Sequence, residues 1–255
     1  MRRYLGAFLS IVIVAAIGVS VVLLLGAAAK PLPNLNGADQ GTSDTPQGTL
    51  KHVSLTLQTF PMDPYEDPDW IASNVTGKSD NGIAFPSAIG DNPDWVKYWP
   101  TTNLVVPAHA LVTVTIENYD SATPLLNPYY AVPRGISGQL TVDGQAMAEE
   151  DPGAVSHTFT IHGIPSADQP YLFVSVPVLG VNSCDPTIPP DQQQGCIPVD
   201  DAGMPAHPAV TTFSFITGAP GHYIWQCFDP CGSGFNGFGG PMSTKGYMSG
   251  TLTVE

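Results

Sequence analysis

The stretch GHYIWQCFDPCGSGFNGFGGPMSTKGYMSGTLTVE, Gly221–Glu255, closes the chain. It begins with HYIWQC around Trp225 and ends with YMSGTLTVE, where Met248, Leu252 and Val254 share one face. Side chains that repeat every second residue belong to extended strands, because successive Cβ atoms point to opposite sides of a sheet. Between the two strands lie Cys227 and Cys231, then glycines at 232, 234, 237, 239 and 240, then Met242. Glycine lets backbone take conformations that other residues resist, so this segment can wrap a ligand cluster or form a loose lip.

The same period of two recurs upstream. HVSLTLQ alternates Val53, Leu55 and Leu57; LVTVTIEN alternates Val112, Val114 and Ile116; HTFTIHG places His157, Phe159 and Ile161 together. GQLTVDG near Leu140, LFVSVPV near Val174 and TTFSFIT near Phe213 complete a set of seven or eight short strands. With 26 Gly and 26 Pro in 255 residues, long helices beyond the N-terminal segment are disfavoured, and the pattern predicts an all-β sandwich with Greek-key connections. Residues 60–102 interrupt it with Trp70, Trp95, Trp99 and several prolines, and read as a packed insertion.

The N-terminus is different. Leu5–Ala29 is 25 uncharged residues, enough at ~1.5 Å per residue to cross a hydrocarbon layer of ~30 Å. Arg2 and Arg3 precede it, which predicts a single-pass anchor over 1–30 with the rest of the chain outside the cytoplasm. A cleaved signal ending at Ala27–Ala29 is the alternative. Residues 31–48, rich in Pro, Gly, Asn, Ser and Thr, read as a flexible tether, and 49–255 as one domain. Subtracting Arg2, Arg3 and Lys30 from the eight Lys and Arg leaves five cations against 22 carboxylates on the outer part. That charge disfavours nucleic acid and anionic membrane surfaces as partners, and suits either a basic protein partner or simple solubility.

Four cysteines allow three pairings. Cys184 and Cys196 bracket a polar, proline-containing loop and are the expected disulfide, contributing about 3 kcal/mol by the chain-entropy argument. Cys227 and Cys231 are then either a second, local disulfide or a pair of soft thiolate ligands of the kind that suit copper.

Three segments resemble the cupredoxins, among them the copper domain of cytochrome oxidase subunit II and membrane-anchored sulfocyanin-like blue copper proteins. NLVVPAHALVTVTIEN (Asn103–Asn118) is similar to the V-P-A-G strand pair that ends in Asn. SHTFTI (Ser156–Ile161) resembles the strand bearing the first histidine ligand. APGHYIWQC (Ala219–Cys227) with GYMSGTLTV (Gly246–Val254) resembles the two ends of the ligand loop. The likeness spans most of Thr101–Glu255. It implies a cupredoxin-like fold, a copper cofactor, one-electron transfer rather than catalysis, and a partner that is a basic, cytochrome c-like protein or a respiratory oxidase complex.

The resemblance implies ligands residue by residue. CFDPC supplies Cys227 and Cys231 in the C-x3-C register of a dinuclear copper centre, with Asp229 between them as the acidic residue whose carbonyl ligates. Where that family has its second histidine and its methionine, this chain has Phe235 and Phe238. A mononuclear blue site would draw on His157, Cys227 and Met248 and again lacks a second histidine. The expected ligand set is therefore His157, Cys227, Cys231 and Met248, with Met242 as the substitute for Met248.

Other histidines carry less. His157 itself could be a satisfied core residue. His222 and His162 point away from the proposed centre, His109 sits in a turn, and His52 and His207 have no motif around them. No G-x-S-x-G elbow, H-E-x-x-H helix or phosphate-cradling loop is present. MAEED (Met147–Asp151) reads as a solvated acidic loop, and Asn74-Val75-Thr76 is a formal sequon. The function this predicts is a membrane-tethered, extracytoplasmic copper protein that carries electrons. A copper storage or delivery protein and a metal-free structural domain are the alternatives.

Overall fold

A computed structural model describes residues 32–60, 96–163, 170–185, 187–199, 204–231 and 238–255. The expected anchor over 1–30, most of the insertion with its sequon, and Phe235 fall outside these residues. No helix among the described residues is long and apolar enough to cross a membrane.

Among the described residues, thirteen strands form two sheets. In chain order they are β1 (Asn34–Asn36), β2 (Ala38–Thr45), β3 (Gly48–Phe60), β4 (Lys97–Trp99), β5 (Asn103–Val106), β6 (Ala110–Asn118) and β7 (Leu140–Val142). There follow β8 (Gln145–Met147), β9 (Val155–His162), β10 (Val174–Leu179), β11 (Ala209–Ile216), β12 (Gly221–Gln226) and β13 (Ser249–Val254). One sheet runs β1-β5-β13-β12-β9-β10; the other runs β2-β3-β6-β11-β7-β8, with β4 added alongside β3. The only helical pieces among the described residues are 3₁₀ turns of three or four residues.

The alternation read in the sequence is the burial pattern found. β6 alternates buried and half-buried along its whole length, as does β11, and Val112, Val114, Ile116, Phe213 and Phe215 enter the core from that sheet. Phe159, Ile161, Trp225 and Leu252 meet them from the other. Each such side chain contributes roughly 1.5–3 kcal/mol by leaving water, which is what fixes the register. Trp225 lies at the centre: its indole N–H donates to Thr102 O at 3.0 Å, and the rings of Phe159 and Tyr98 pack on it at 4.7 and 4.9 Å.

Two expectations change. Residues 34–45, read as part of a tether, are strands: β1 runs parallel to β5, and β2 pairs antiparallel with β3. Their polar composition suits edge strands that face solvent, and Leu35 alone supplies an apolar foothold on the core. The end of the insertion is also core rather than appendage, because Lys97, Tyr98 and Trp99 are buried in β4.

β9 is covered on both faces. Phe159 and Ile161 face the sandwich, while Ser156, Thr158 and Thr160 on the opposite side are equally buried. Thr160 shares a hydrogen bond of 3.0 Å with Ser175 of β10. The start of this strand, with His157, adjoins the end of β12, with Cys227.

Candidate metal centre

His157 continues the inward parity of Phe159 and Ile161 and is 1 % exposed. Its Nδ1 lies 2.9 Å from the Cys231 sulfur, and its Nε2 lies 3.1 Å from Asp120 Oδ2. Asp120 stands two residues past the end of β6, so an interior strand of one sheet delivers a carboxylate to an imidazole on the other. A carboxylate accepts, so the proton belongs on Nε2, leaving Nδ1 turned toward the sulfurs.

Cys227 follows the last residue of β12 and is fully buried; its N–H donates to Met248 O at 2.9 Å. The Thr158 N–H donates to its sulfur at 3.2 Å, and the Thr158 hydroxyl accepts from Phe228 N at 2.7 Å. The chain then turns at Asp229, whose carbonyl accepts from Cys231 N at 2.8 Å and lies 3.5 Å from the Cys227 sulfur. That turn brings the two sulfurs to 3.4 Å without joining them. The other two cysteines, Cys184 and Cys196, form the expected disulfide.

His157, Cys227 and Cys231 thus place one ligand atom each within 4.8 Å of one another. Among the expected ligands, these three are assembled. Met248 is fully buried and joined to Cys227 through its backbone, and Met242 is buried nearby in chain, with Pro241 O accepting from Met248 N at 3.1 Å. Both thioethers therefore remain candidates for a fourth position. The remaining histidines stay apart: His52 bonds Ser43 and Thr113, His162 contacts Gln226, His109 takes a turn conformation at φ 50°, and His222 and His207 are exposed. Phe238, in the place of a methionine ligand, is 43 % exposed.

The electrostatics describe a site short of positive charge. Burial works against a charged imidazole, but the Asp120 carboxylate and the neighbouring Cys227 sulfur outweigh it and raise His157 to about 10. Burial alone would raise Cys227, yet the hydrogen bonds from Cys231 and His157 hold it well below the usual thiol value. Cys231 is pushed up, first by sharing its proton with Cys227 and then by burial. The pair titrates as a unit: one proton leaves easily, and the second is retained because two negative sulfurs at 3.4 Å repel.

Among the buried polar groups without a hydrogen-bond partner, two feel the sulfurs electrostatically. Asp229 is fully buried with both carboxylate oxygens unpaired, and burial beside Cys227 raises it to about 7. The Tyr98 hydroxyl is also buried and unpaired, raised by burial and then by the two sulfurs. Orphaned polar groups around two thiols and an imidazole fit a bound cation, and the sulfur-rich donor set fits a soft one. Asp120 and Tyr98 carried no motif in the sequence, and Thr158, inside SHTFTI, was read only as part of the strand bearing the histidine. The one available signal was that a carboxylate stands two residues after the strand ending in Asn118.

No protein-family model matches this chain, and no curated protein matches it. Solved structures with a similar course include auracyanin B, at 14 % identity over 86 % of this chain and 99 % of that one, with a TM-score of 0.30. Reduced rusticyanin follows at 17 % identity over 86 % and 90 % of the two chains, with a TM-score of 0.23. Rusticyanin from Thiobacillus ferrooxidans overlaps at 14 %, over 86 % and 87 %, with a TM-score of 0.24. At these scores the overlaps carry no weight, and the reading that follows stands on the chain's own sheets and side chains.

Proposed function

We propose that this chain is a copper-binding one-electron carrier of cupredoxin type, tethered to a membrane and working outside the cytoplasm. The observation that carries the copper reading is the buried convergence of His157 Nδ1 with the Cys227 and Cys231 sulfurs, with the far side of the imidazole held by Asp120. The apolar run of Leu5–Ala29 supports the tether, and the acidic surface supports a basic partner, such as a cytochrome c-like protein or an oxidase complex.

Copper bound here would supply one-electron chemistry by alternating between its two common oxidation states. The residues do the rest. His157 gives up its Nδ1 proton and keeps the one on Nε2 that Asp120 accepts; the two thiols lose theirs, so loading releases protons. Thr158 and Asp229 fix the sulfurs from β9 and from the turn, and a frame braced on two sheets resists rearrangement between oxidation states. Met248 or Met242 would supply a fourth, thioether donor.

Titrating the purified chain with copper while recording visible absorption and electron spin resonance tests the proposal. A thiolate-to-copper band that is lost in Cys227→Ser is expected. Its absence with both thiols reduced sinks the electron-carrier reading.

A second reading draws on one observation: among the described residues the cluster contains two sulfurs and one imidazole, with no second histidine. Such a set suits capture of Cu(I) for storage or delivery. Tight Cu(I) binding without a reversible potential would select it. A metal-free structural domain gains less support, because the two thiols are not joined.

A further inference from the structure

Beside the centre, a short series of aromatic rings leads from Cys227 to the surface. Phe228 is bonded directly to Cys227, and its ring stacks on Tyr130 with centroids 5.3 Å apart and planes at 10°. Tyr130 meets Tyr129 edge-on at 5.2 Å. Tyr129 is 45 % exposed, with the Arg134 guanidinium 3.9 Å above its ring, and Leu126 beside it in chain is 80 % exposed.

The segment carrying these rings is held at several points. It is the one that Asp120 begins. Thr123 N donates to Val155 O and Leu125 N to Pro152 O, while Asn127 caps the 3₁₀ turn of Pro128–Ala131 by accepting from Tyr129 N. Arg134 exchanges two backbone hydrogen bonds with Ser175 of β10. Beneath the turn, Leu125, Ala131 and Val155 form a small core against which Tyr130 packs. The rings are thus preorganised.

The surroundings are acidic. Glu150 N donates to Ala131 O at 2.9 Å, which brings the acidic loop of Glu149 and Asp151, both exposed, against the turn. Arg134 is the opposing cation, and it is occupied on Tyr129. An exposed apolar tip beside a loop with two exposed carboxylates matches a cationic surface.

We propose that Phe228, Tyr130 and Tyr129 are the electron port of this protein, and that the tip formed by Leu126 and Tyr129 docks a cationic redox protein. The inference rests on the copper reading and names where its electron leaves. A bonded path along the Cys227–Phe228 backbone, followed by two ring contacts, shortens the gaps an electron must cross. The balance is simple: one electron leaves Cu(I), which becomes Cu(II), and the acceptor metal falls by one unit. The tyrosines keep their protons and are not themselves oxidised.

Two measurements on the whole chain test this. In the metal-free protein, the redox-inert paramagnetic cation hexaamminechromium(III) should broaden the NMR signals of Tyr129 and Leu126, and a Glu149→Gln, Asp151→Asn variant should relieve it. Even broadening over the surface would overturn the docking face. In the copper-loaded protein, oxidation by the cationic tris(phenanthroline)cobalt(III) should slow about tenfold in Tyr129→Ala, the loss typical of an aromatic anchor. Tyr130→Leu should slow it likewise and Tyr130→Phe should restore it, with the copper absorption unchanged throughout. Undiminished rates in the variants would overturn the port alone. Absence of any copper band in the parent, with selective chromium broadening intact, would instead sink the copper reading and the electron route with it.

Discussion

Cys227 and Cys231 do not hold equivalent places. Cys227 is fully buried and takes hydrogen bonds from the backbone of β9, whereas Cys231 is half-buried and faces the imidazole. Cys227→Ser should therefore abolish the thiolate-to-copper absorption, while Cys231→Ser should keep a weakened, altered band; metal analysis beside the spectrum separates the two. The Asp120 carboxylate makes its hydrogen bond to the centre through His157. Losing such a partner costs about ten- to a hundredfold in metal affinity, so Asp120→Asn should weaken copper by that factor and raise the reduction potential, read by competition with a chelator and by voltammetry. A third residue gives the metal-free protein a pH signature away from the sulfurs. Glu150 is raised by burial from 4.5 to about 7. Below 4.5 it is protonated in both states and costs nothing. Between 4.5 and 7 the folded state binds the extra proton, so stability falls as pH rises through that window. Denaturant melts should show that decline, and Glu150→Gln should flatten it.

At the level of strands and turns, the site depends on close approach. A Cβ on Gly180, just past β10, would stand 2.3 Å from Ala122 N, in the segment that Asp120 opens. Val181 N also donates to Asp120 O, so this turn sets where that carboxylate sits. Gly180→Ala should destabilise the metal-free protein by about 1–3 kcal/mol and weaken copper without touching a ligand, as seen by melts and metal competition. The same contrast explains what was readable beforehand. The seven or eight strands read in the sequence were legible because burial imposes a period of two, as on Val53–Leu57, Val112–Ile116 and Phe213–Phe215. Strands β1 and β2 were not, since an edge that faces water leaves no such imprint on NLN or ADQGTSDT. His157, Cys227 and Cys231 were expected as ligands through the resemblance of their segments to ligand-bearing ones, and the structure brings the three together. Asp120, Tyr98 and the Tyr130 stack were not expected, because their meeting depends on how two sheets are laid over each other, which no local pattern encodes.

Across the whole molecule, charge and its screening govern encounters. The acidic excess outside the N-terminal segment should speed association with a cationic partner at low salt and lose most of that advantage near 0.15 M, where the screening length is about 8 Å. Stopped-flow rates against ionic strength would show a steep decline, and a flat profile would count against a basic partner. The Cys184–Cys196 bridge is separate in role from the other two thiols: it closes a loop whose backbone pairs with itself through Cys184 N to Ile197 O and Ile197 N to Asn182 O. Replacing both cysteines with serine should lower stability by about 3 kcal/mol and leave the copper spectrum unchanged.

The unbridged sulfurs at 3.4 Å also set a race. In an oxidising compartment, an oxidant that takes two electrons would weld them together and erase two donors in one stroke, whereas metal arriving first would shield both from that fate. Assembly of the centre thus hinges on order of arrival, and an escort that presents copper alongside a reductant would win it.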